Sequence, residues 1–377
     1  MIAHDCEVIQ EDKSLRADFE WAQFGHAALV DTVIDGLPHR ARLALERAAE
    51  GWLGSLGFCT QYAVPPATRV YVRLDEEANV TAACFYTRQS GRWWFKTLHL
   101  FGPCRFTEDE LQQIMREKCA ALAIITCMGS EDLERWPTSW YRCSRRAVNE
   151  DIIVDLPGTE DEYLASLGHN ARTQLPYYLR RVEKEWGSGF TVLTVTGSDI
   201  SRQMFADLVD LNRIRIEHKG VTHLWNEGLI ERRWKLAREC GLFVGLYRHD
   251  HLVAGTISYL HRDQAYFILI GHHEEYNRLR LGKLALWLTI RHLIRSGVVR
   301  YHLLWGASPY KLSLGGRPHV LSELTVFRHS LVAAVWYLDQ WICTFVVCAK
   351  RLVKASRAMT RRMMGTLRGS PETLRTS

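Results

Sequence analysis

The sequence predicts an α/β chain of the α+β kind: two lobes with mixed, largely antiparallel sheets flanked by helices, followed by a C-terminal helix. Three observations predict it. The chain has 377 residues, too many for one ordinary core and enough for two lobes of roughly 150 residues each plus a tail. Short apolar runs alternate with tight polar breaks, as antiparallel strands do, between stretches of helical spacing. The order helix, antiparallel strands, helix, strand is met twice along the chain, without any repeat of residues. The partition expected is 1–157 for the first lobe, 158–329 for the second with a bridging helix at its start, and 330–377 for an apolar then basic helix and tail.

In the first lobe the segment before Pro38 is poorly patterned. Residues 39–56 space Leu43, Leu45, Ala49, Trp52 and Leu53 as the core positions of a helix. Strand-like runs follow at 69–74, 80–88 and 93–100, parted by Asp75-Glu76-Glu77 and Ser90-Gly91, which predicts a meander. Thr107 with Glu110 three residues later has the form of a capping box, so a helix is expected from there to about Leu122. Apolar strands at 123–127 and 151–156 complete the lobe. Residues 160–186 have helical character, carry Arg172, Arg180, Arg181 and Lys184, and are expected to break or kink at Pro176.

The second lobe opens with a strand at 190–196 and helices at 201–217 and 226–240. Apolar runs at 242–247, 252–260 and 265–271 are separated by His249-Asp250-His251 and Arg262-Asp263-Gln264. A helix at 282–296 and strands at 299–304 and 321–328 follow.

Composition narrows the class of function. Hydrophobic residues are 47% and charged residues 24% of the chain, a globular balance. The net charge of +6 favours an anionic partner, such as a nucleotide carrier, a phosphorylated lipid or a membrane face. It falls short of a nucleic-acid signature, and DNA is not expected as a partner, because part of the excess lies in the tail. The 10 cysteines form no CxxC pair, which reads as reduced thiols in a cytoplasmic protein. No basic-then-apolar leader is visible at the N-terminus, and without secretion the glycosylation triplet Asn79-Val80-Thr81 is idle. The adjacent His272 and His273 would face opposite sides of a strand, so no metal site is expected.

Residues 331–348 are apolar and aromatic, interrupted by Asp339 and Gln340, and Lys350, Arg351, Lys354, Arg357, Arg361 and Arg362 follow. A central Asp costs roughly 2.5–3.5 kcal/mol in a spanning helix, which argues against a span. Two readings stay open: a helix packed on the domain with a solvated basic end, or an amphipathic helix at 331–362 lying on an anionic membrane surface, the inner face of the cytoplasmic membrane.

Chemistry concentrates in two places. At 277–285 a helix opens just after an apolar strand, with Gly282 among Arg278, Arg280 and Lys283. Unpaired N–H groups at a helix start cradle a pyrophosphate; an ordinary turn with a solvated basic cap is the plainer reading. At 305–316 a loop follows a buried strand, and its Tyr310 and Lys311 are either donors to a developing charge or structural. Ser308 lies in no Gly-x-Ser-x-Gly elbow.

Taken in order, these pieces resemble the CelD/BcsL-type acetyltransferase domain, a branch of the GNAT acyltransferases close to the FemAB aminoacyltransferases. The resemblance rests on the basic helix with Arg172, Arg180 and Arg181, the runs Gly241–Tyr247 and Leu252–Ser258, the stretch Tyr276–Gly282, and Gly297 through Tyr310-Lys311. There are departures. Leu279 stands where that family has Gln or Arg before its loop glycine, only Gly282 is present, and His302 lies near a place that is often acidic. The resemblance implies GNAT-like lobes and direct transfer from acetyl-CoA or another acyl-CoA to an amine or hydroxyl of a sugar, polysaccharide precursor or similar envelope building block. It implies Lys311 for charge stabilisation and Tyr310 as donor or acid, with a base among Glu217, Glu274 and His272. The carrier would meet Ile268, Ile270, Arg278, Arg280, Gly282 and Lys283. A charged-tRNA donor, as in FemAB enzymes, and a non-catalytic partner in exopolysaccharide assembly are the rival expectations.

Overall fold

The computed structural model describes residues 21–24, 27–33, 69–74, 80–90, 96–101, 107–128, 133–134, 136, 139–220 and 225–367. The helix expected at 39–56 lies outside them. Strands β1 (Trp21–Phe24) and β2 (Ala27–Val33) lie in the poorly patterned stretch before Pro38, and they extend the expected meander of β3 (Arg69–Leu74), β4 (Val80–Ser90) and β5 (Lys96–Phe101). Helix α1 (Glu108–Glu117) and strand β6 (Leu122–Met128) follow, then β7 (Cys143–Asp155). Helices α2 (Glu160–Ser166) and α3 (His169–Trp186) lead into β8 (Phe190–Thr196), α4 (Arg202–His218), α5 (Glu227–Cys240), β9 (Gly241–Arg248), β10 (His251–His261) and β11 (Gln264–His272). The chain then runs through α6 (Leu281–Arg295), β12 (Arg300–Trp305), α7 (Pro309–Ser313), β13 (Arg317–Phe327) and α8 (Ser330–Leu367).

All the described strands join one 13-stranded sheet in the order β1-β2-β3-β4-β5-β6-β13-β7-β12-β11-β10-β9-β8. The order is nearly symmetric about its centre. On each side an antiparallel meander ends in one parallel pair, β5 with β6 and β11 with β12. The two central strands are exchanged. β7 follows β6 in sequence but lies beyond β13, against β12, while β13 follows β12 but lies beyond β7, against β6.

In the second lobe, helices cover both faces of the sheet. Leu242, Val244 and Leu246 point to one layer, with Leu284, Trp287 and Ile290 of α6 and Tyr163 of α2. Phe243 between them points to the other, with Phe205 and Leu208 of α4 and Leu236 of α5. This two-sided burial explains why β9 reads as a continuous apolar run instead of an alternating one. Burying a large aliphatic or aromatic side chain stabilises the fold by roughly 1.5–3 kcal/mol. Buried hydroxyls are paired: Thr256 with Thr289 at 2.6 Å and Ser258 with Tyr301 at 2.8 Å.

Two expectations are corrected. The bridging helix breaks at Leu167 and Gly168, not at Pro176, which lies inside α3. Leu167 is extended, with φ −79° and ψ 152°, and buried in the core, whereas Pro176 removes only one intrahelical N–H. β7 begins at Cys143, well before the expected 151, because its polar start Ser144–Glu150 is held by pairing with β13 and not by burial. Arg146 of β7 pairs with Glu323 of β13 at 2.9 Å.

Candidate active site

The site begins where two parallel strands part. β11 and β12 are paired only from Gln264 to Tyr266 against Arg300 to His302. Beyond that, β11 continues to His272 and β12 to Trp305 with no pairing between them, which opens a V at the C-terminal ends of both strands. The far wall is held apart by a bend in β12. Its register against β7 shifts between His302 and Trp305, Leu304 takes φ +56°, a region that side chains rarely enter, and Gly306 takes φ +85°.

Lys311 secures that bend. It is 5% exposed, and its Nζ donates to the Leu304 carbonyl at 3.2 Å and the Trp305 carbonyl at 2.6 Å. Burial lowers its pKa, against the opposing pull of Asp151 and Glu150. The Tyr163 hydroxyl donates to the Leu314 carbonyl at 2.9 Å and anchors the other end of α7. The short helix is thereby fixed, and Tyr310 is carried to the mouth of the V.

A cavity of about 560 Å³ occupies the V. Ile270 and His272 of β11, Arg280, Gly282 and Lys283 at the start of α6, and Tyr310 of α7 line it. Arg215 and Lys219 from the end of α4 also line it, with Gln174 and Tyr178 of α3, and among the described residues no carboxylate does. The positive end of α6 faces this space uncapped: Arg280 at the N-cap is left-handed, with φ 54° and ψ 36°, and makes no side-chain cap bond. First-turn N–H groups left this way bind anions. Gly282 is required by proximity, since a Cβ there would come within 2.9 Å of His272 Nδ1.

The titratable groups feel the crowding of positive charge. Burial, then the Arg215 guanidinium, lower the pKa of His272 below its ordinary value, against pulls from Asn277 and Glu274. Its Nδ1 is buried without a hydrogen-bond partner, as is Nε of Arg215. Burial and Arg280 lower the pKa of Lys283. Burial raises that of Tyr310, so it stays a hydroxyl and a donor at neutral pH.

The remaining residues singled out from the sequence lie elsewhere. Glu217 is exposed and does not line the cavity. Glu274 binds His218 Nδ1 at 2.6 Å, a contact that lowers its pKa. Arg278 is paired with Glu185, one bond being 2.8 Å. Ile268 packs into the core on the α4 side. The sequence reading left the Lys311 ammonium free to meet a developing charge; burial and two carbonyls turn it toward the strand end instead. Sequence reasoning missed Arg215 and Lys219. It also missed Asn212, whose Nδ2 donates to the Ile270 carbonyl at 2.6 Å and pins α4 to β11. His302 belongs to a separate buried cluster: its Nδ1 meets Asp151 at 2.6 Å, its Nε2 meets Gln264 at 3.1 Å, and its ring stacks on Tyr266.

A splayed parallel pair, with an open helix start between the strands, coincides with what the sequence comparison finds. Residues 169–312 match the family model described as acetyltransferase (GNAT) domain. The matched segment is a transferase domain of GNAT type. Solved structures share the two-lobed fold over most of their length. FemX aligns with TM-score 0.58 and 10% identity, covering 79% of this chain and 97% of that one. A conserved protein of unknown function from Bacteroides thetaiotaomicron VPI-5482 aligns with TM-score 0.53 and 10% identity, covering 76% and 96%. L-PGS from Bacillus licheniformis aligns with TM-score 0.52 and 13% identity, covering 77% and 92%. At such identities the likeness establishes a GNAT, FemAB-like fold. No curated protein matches the sequence significantly.

Proposed function

We propose that the second lobe transfers an acyl group from acyl-CoA to an amine or hydroxyl of a saccharide-type acceptor. The observation that carries this reading is the cavity at the V: Arg215, Lys219, Arg280 and Lys283 meet an uncapped helix start there, with no carboxylate among the lining residues. Such a place is built for the phosphates of a nucleotide carrier. The carrier's acyl end would extend between β11 and β12 toward Tyr310.

The chemistry assigned to these residues balances simply. The acceptor's nitrogen or oxygen attacks the thioester carbon, and His272, neutral because its pKa is depressed, takes the proton that the nucleophile releases. Tyr310 donates a hydrogen bond to the developing oxyanion. When the C–S bond breaks, the thiolate recovers the proton from His272. Acyl-thioester and acceptor become acyl-acceptor and free thiol. Positioning supplies most of the acceleration in such a reaction, and the single base adds about 10²–10⁴-fold.

A second cavity, of about 840 Å³, lies on the other side of α7 and shares Ser313 with the first. Asp155, Glu162, His169 and Asn170 among its lining suit a polyhydroxylated or amine-bearing acceptor. A charged-tRNA donor is the second reading. It is favoured by the Ile270 carbonyl, one of whose two acceptor sites is already taken by Asn212 instead of being left for a carrier's arm, and by the FemX-like fold.

Thermal denaturation with acetyl-CoA, against adenosine bisphosphate and against charged tRNA, tests the choice. A carrier at about 100 times its dissociation constant adds roughly 2.7 kcal/mol of stability. A saturable shift with acetyl-CoA is expected. A shift only with charged tRNA, falling steeply with salt, would replace the CoA reading, and no shift with any carrier would overturn both.

A further inference from the structure

The C-terminal helix presents an apolar face that the transferase reaction does not use. Its first turns are docked. Ala333 is buried against Leu122 and Phe327, with Val332, Trp336 and Tyr337 packed beside it. Asp339, Gln340 and Cys343 lie on this same half-covered side. The outward side carries Leu331, Leu338, Trp341, Ile342 and Phe345, which are 74%, 57%, 67%, 47% and 64% exposed. They recur at steps of three and four, one stripe of a helix. The segment Ser330–Lys350 has mean hydropathy 1.6 and is long and apolar enough to cross a membrane by length and composition, yet only 6% of it is buried. It is therefore no core helix. Beyond it the sequence holds Lys350, Arg351, Lys354, Arg357, Arg361, Arg362 and Arg368, and no Asp or Glu occurs between Asp339 and Glu372.

We propose that α8 is an in-plane membrane anchor for an anionic lipid surface: its outward stripe enters the boundary between headgroups and acyl chains, and its basic half meets the lipid phosphates. Both halves of the helix find complementary chemistry on one such surface. Trp341 and Phe345, stacked at 6.0 Å on the exposed side, are of the kind that settle at a membrane interface. A second copy fits less well. Two parallel helices would set one basic run against the other, and two antiparallel ones would set each basic run against an apolar half. A span fits less well too, because it would strip Ala333, Trp336 and Tyr337 from the domain and place Asp339 in hydrocarbon.

The test is co-sedimentation of the full chain with vesicles of phosphatidylcholine alone or mixed with phosphatidylglycerol. At least tenfold stronger binding to the mixed vesicles is expected, weakening as salt rises. Trp341→Glu with Phe345→Glu should lower that binding at least tenfold, with unaltered circular dichroism and carrier binding. Lys350→Gln with Arg351→Gln and Lys354→Gln should bring binding to mixed vesicles down toward the phosphatidylcholine level without touching the apolar stripe. Three results would overturn the proposal: equal binding to both vesicle types, no binding to either together with a dimer that Phe345→Glu dissociates, or resistance of the membrane-bound protein to alkaline carbonate extraction.

Discussion

The two lobes each contain a helix that crosses between parallel strands, and the two helices begin in opposite ways. α1 in the first lobe carries a complete capping box: the Glu110 carboxylate accepts from the Thr107 N–H at 2.7 Å, and Thr107 Oγ1 accepts from the Glu110 N–H at 3.3 Å. Its first turn is acidic, with Glu108, Asp109 and Glu110. α6 in the second lobe has no side-chain cap, no acidic residue in its first turn, and Arg280 and Lys283 at its start. The strands differ in the same sense. β5 is paired with β6 over four of its six residues, Thr97 to Leu100, whereas β11 is paired with β12 over only three of its nine and leaves it after Tyr266. The same topology thus has a capped, acidic helix start in the first lobe and an uncapped, basic one in the second. The proposed site needs the second of these two starts, and the first lobe repeats the topology without it.

Three substitutions break or sharpen this contrast. The largest effect is expected at His272→Ala, with kcat lower by about 10²–10⁴-fold and little change in carrier affinity. Because burial and Arg215 hold the folded pKa of His272 below the ordinary 6.5, the acid limb of the wild-type rate profile should lie below pH 6.5 and vanish in the variant. The same shift fixes the sign for stability. As pH falls, the unfolded chain takes up the proton first, so this stability is complete above 6.5 and lost as pH drops through the folded value. The acid-induced fall in Tm should accordingly be smaller in His272→Ala. A wild-type limb retained by the variant would remove His272 as the base.

Next comes Arg280→Glu, which replaces a charge-assisted contact of roughly 1.5–3 kcal/mol with repulsion and should weaken acetyl-CoA binding about 100-fold. Calorimetric titration reads this directly, and unchanged affinity would mean that the carrier's phosphates lie elsewhere. The smallest effect is expected at Thr107→Ala. Loss of that cap should cost about 1 kcal/mol of stability in denaturant unfolding and leave carrier affinity untouched. A change in affinity there would contradict the division of labour between the lobes.

Much of the second lobe was legible in its sequence because both its signals are local. The runs around β9, β10 and β11 and the helix start at Gly282 reveal themselves within a few residues. The first part of β7, Ser144-Arg145-Arg146-Ala147, shows no strand pattern, since its order comes from β13, far along the chain. The break at Gly168 was hidden for a related reason: a buried Leu167 decides it, and burial is a tertiary fact. In the site, Arg280, Gly282 and Lys283 were found through one turn of sequence. Arg215 and Lys219 were not, because basic residues near the end of a helix are ordinary and it is the packing of α4 on β11, with the Asn212 bond, that carries them to the cavity. Glu274 looked like a base but is spoken for by His218.

The exchange of β7 and β13 also governs the order in which the chain can be completed during synthesis. When β6 leaves the ribosome, its inner edge has no neighbour until β13, the last strand, is made. β7 likewise waits for both β12 and β13. Unpaired edges of this kind recruit other chains. A nascent first lobe is therefore an aggregation hazard for most of translation, and the two halves reach their final form together at its close.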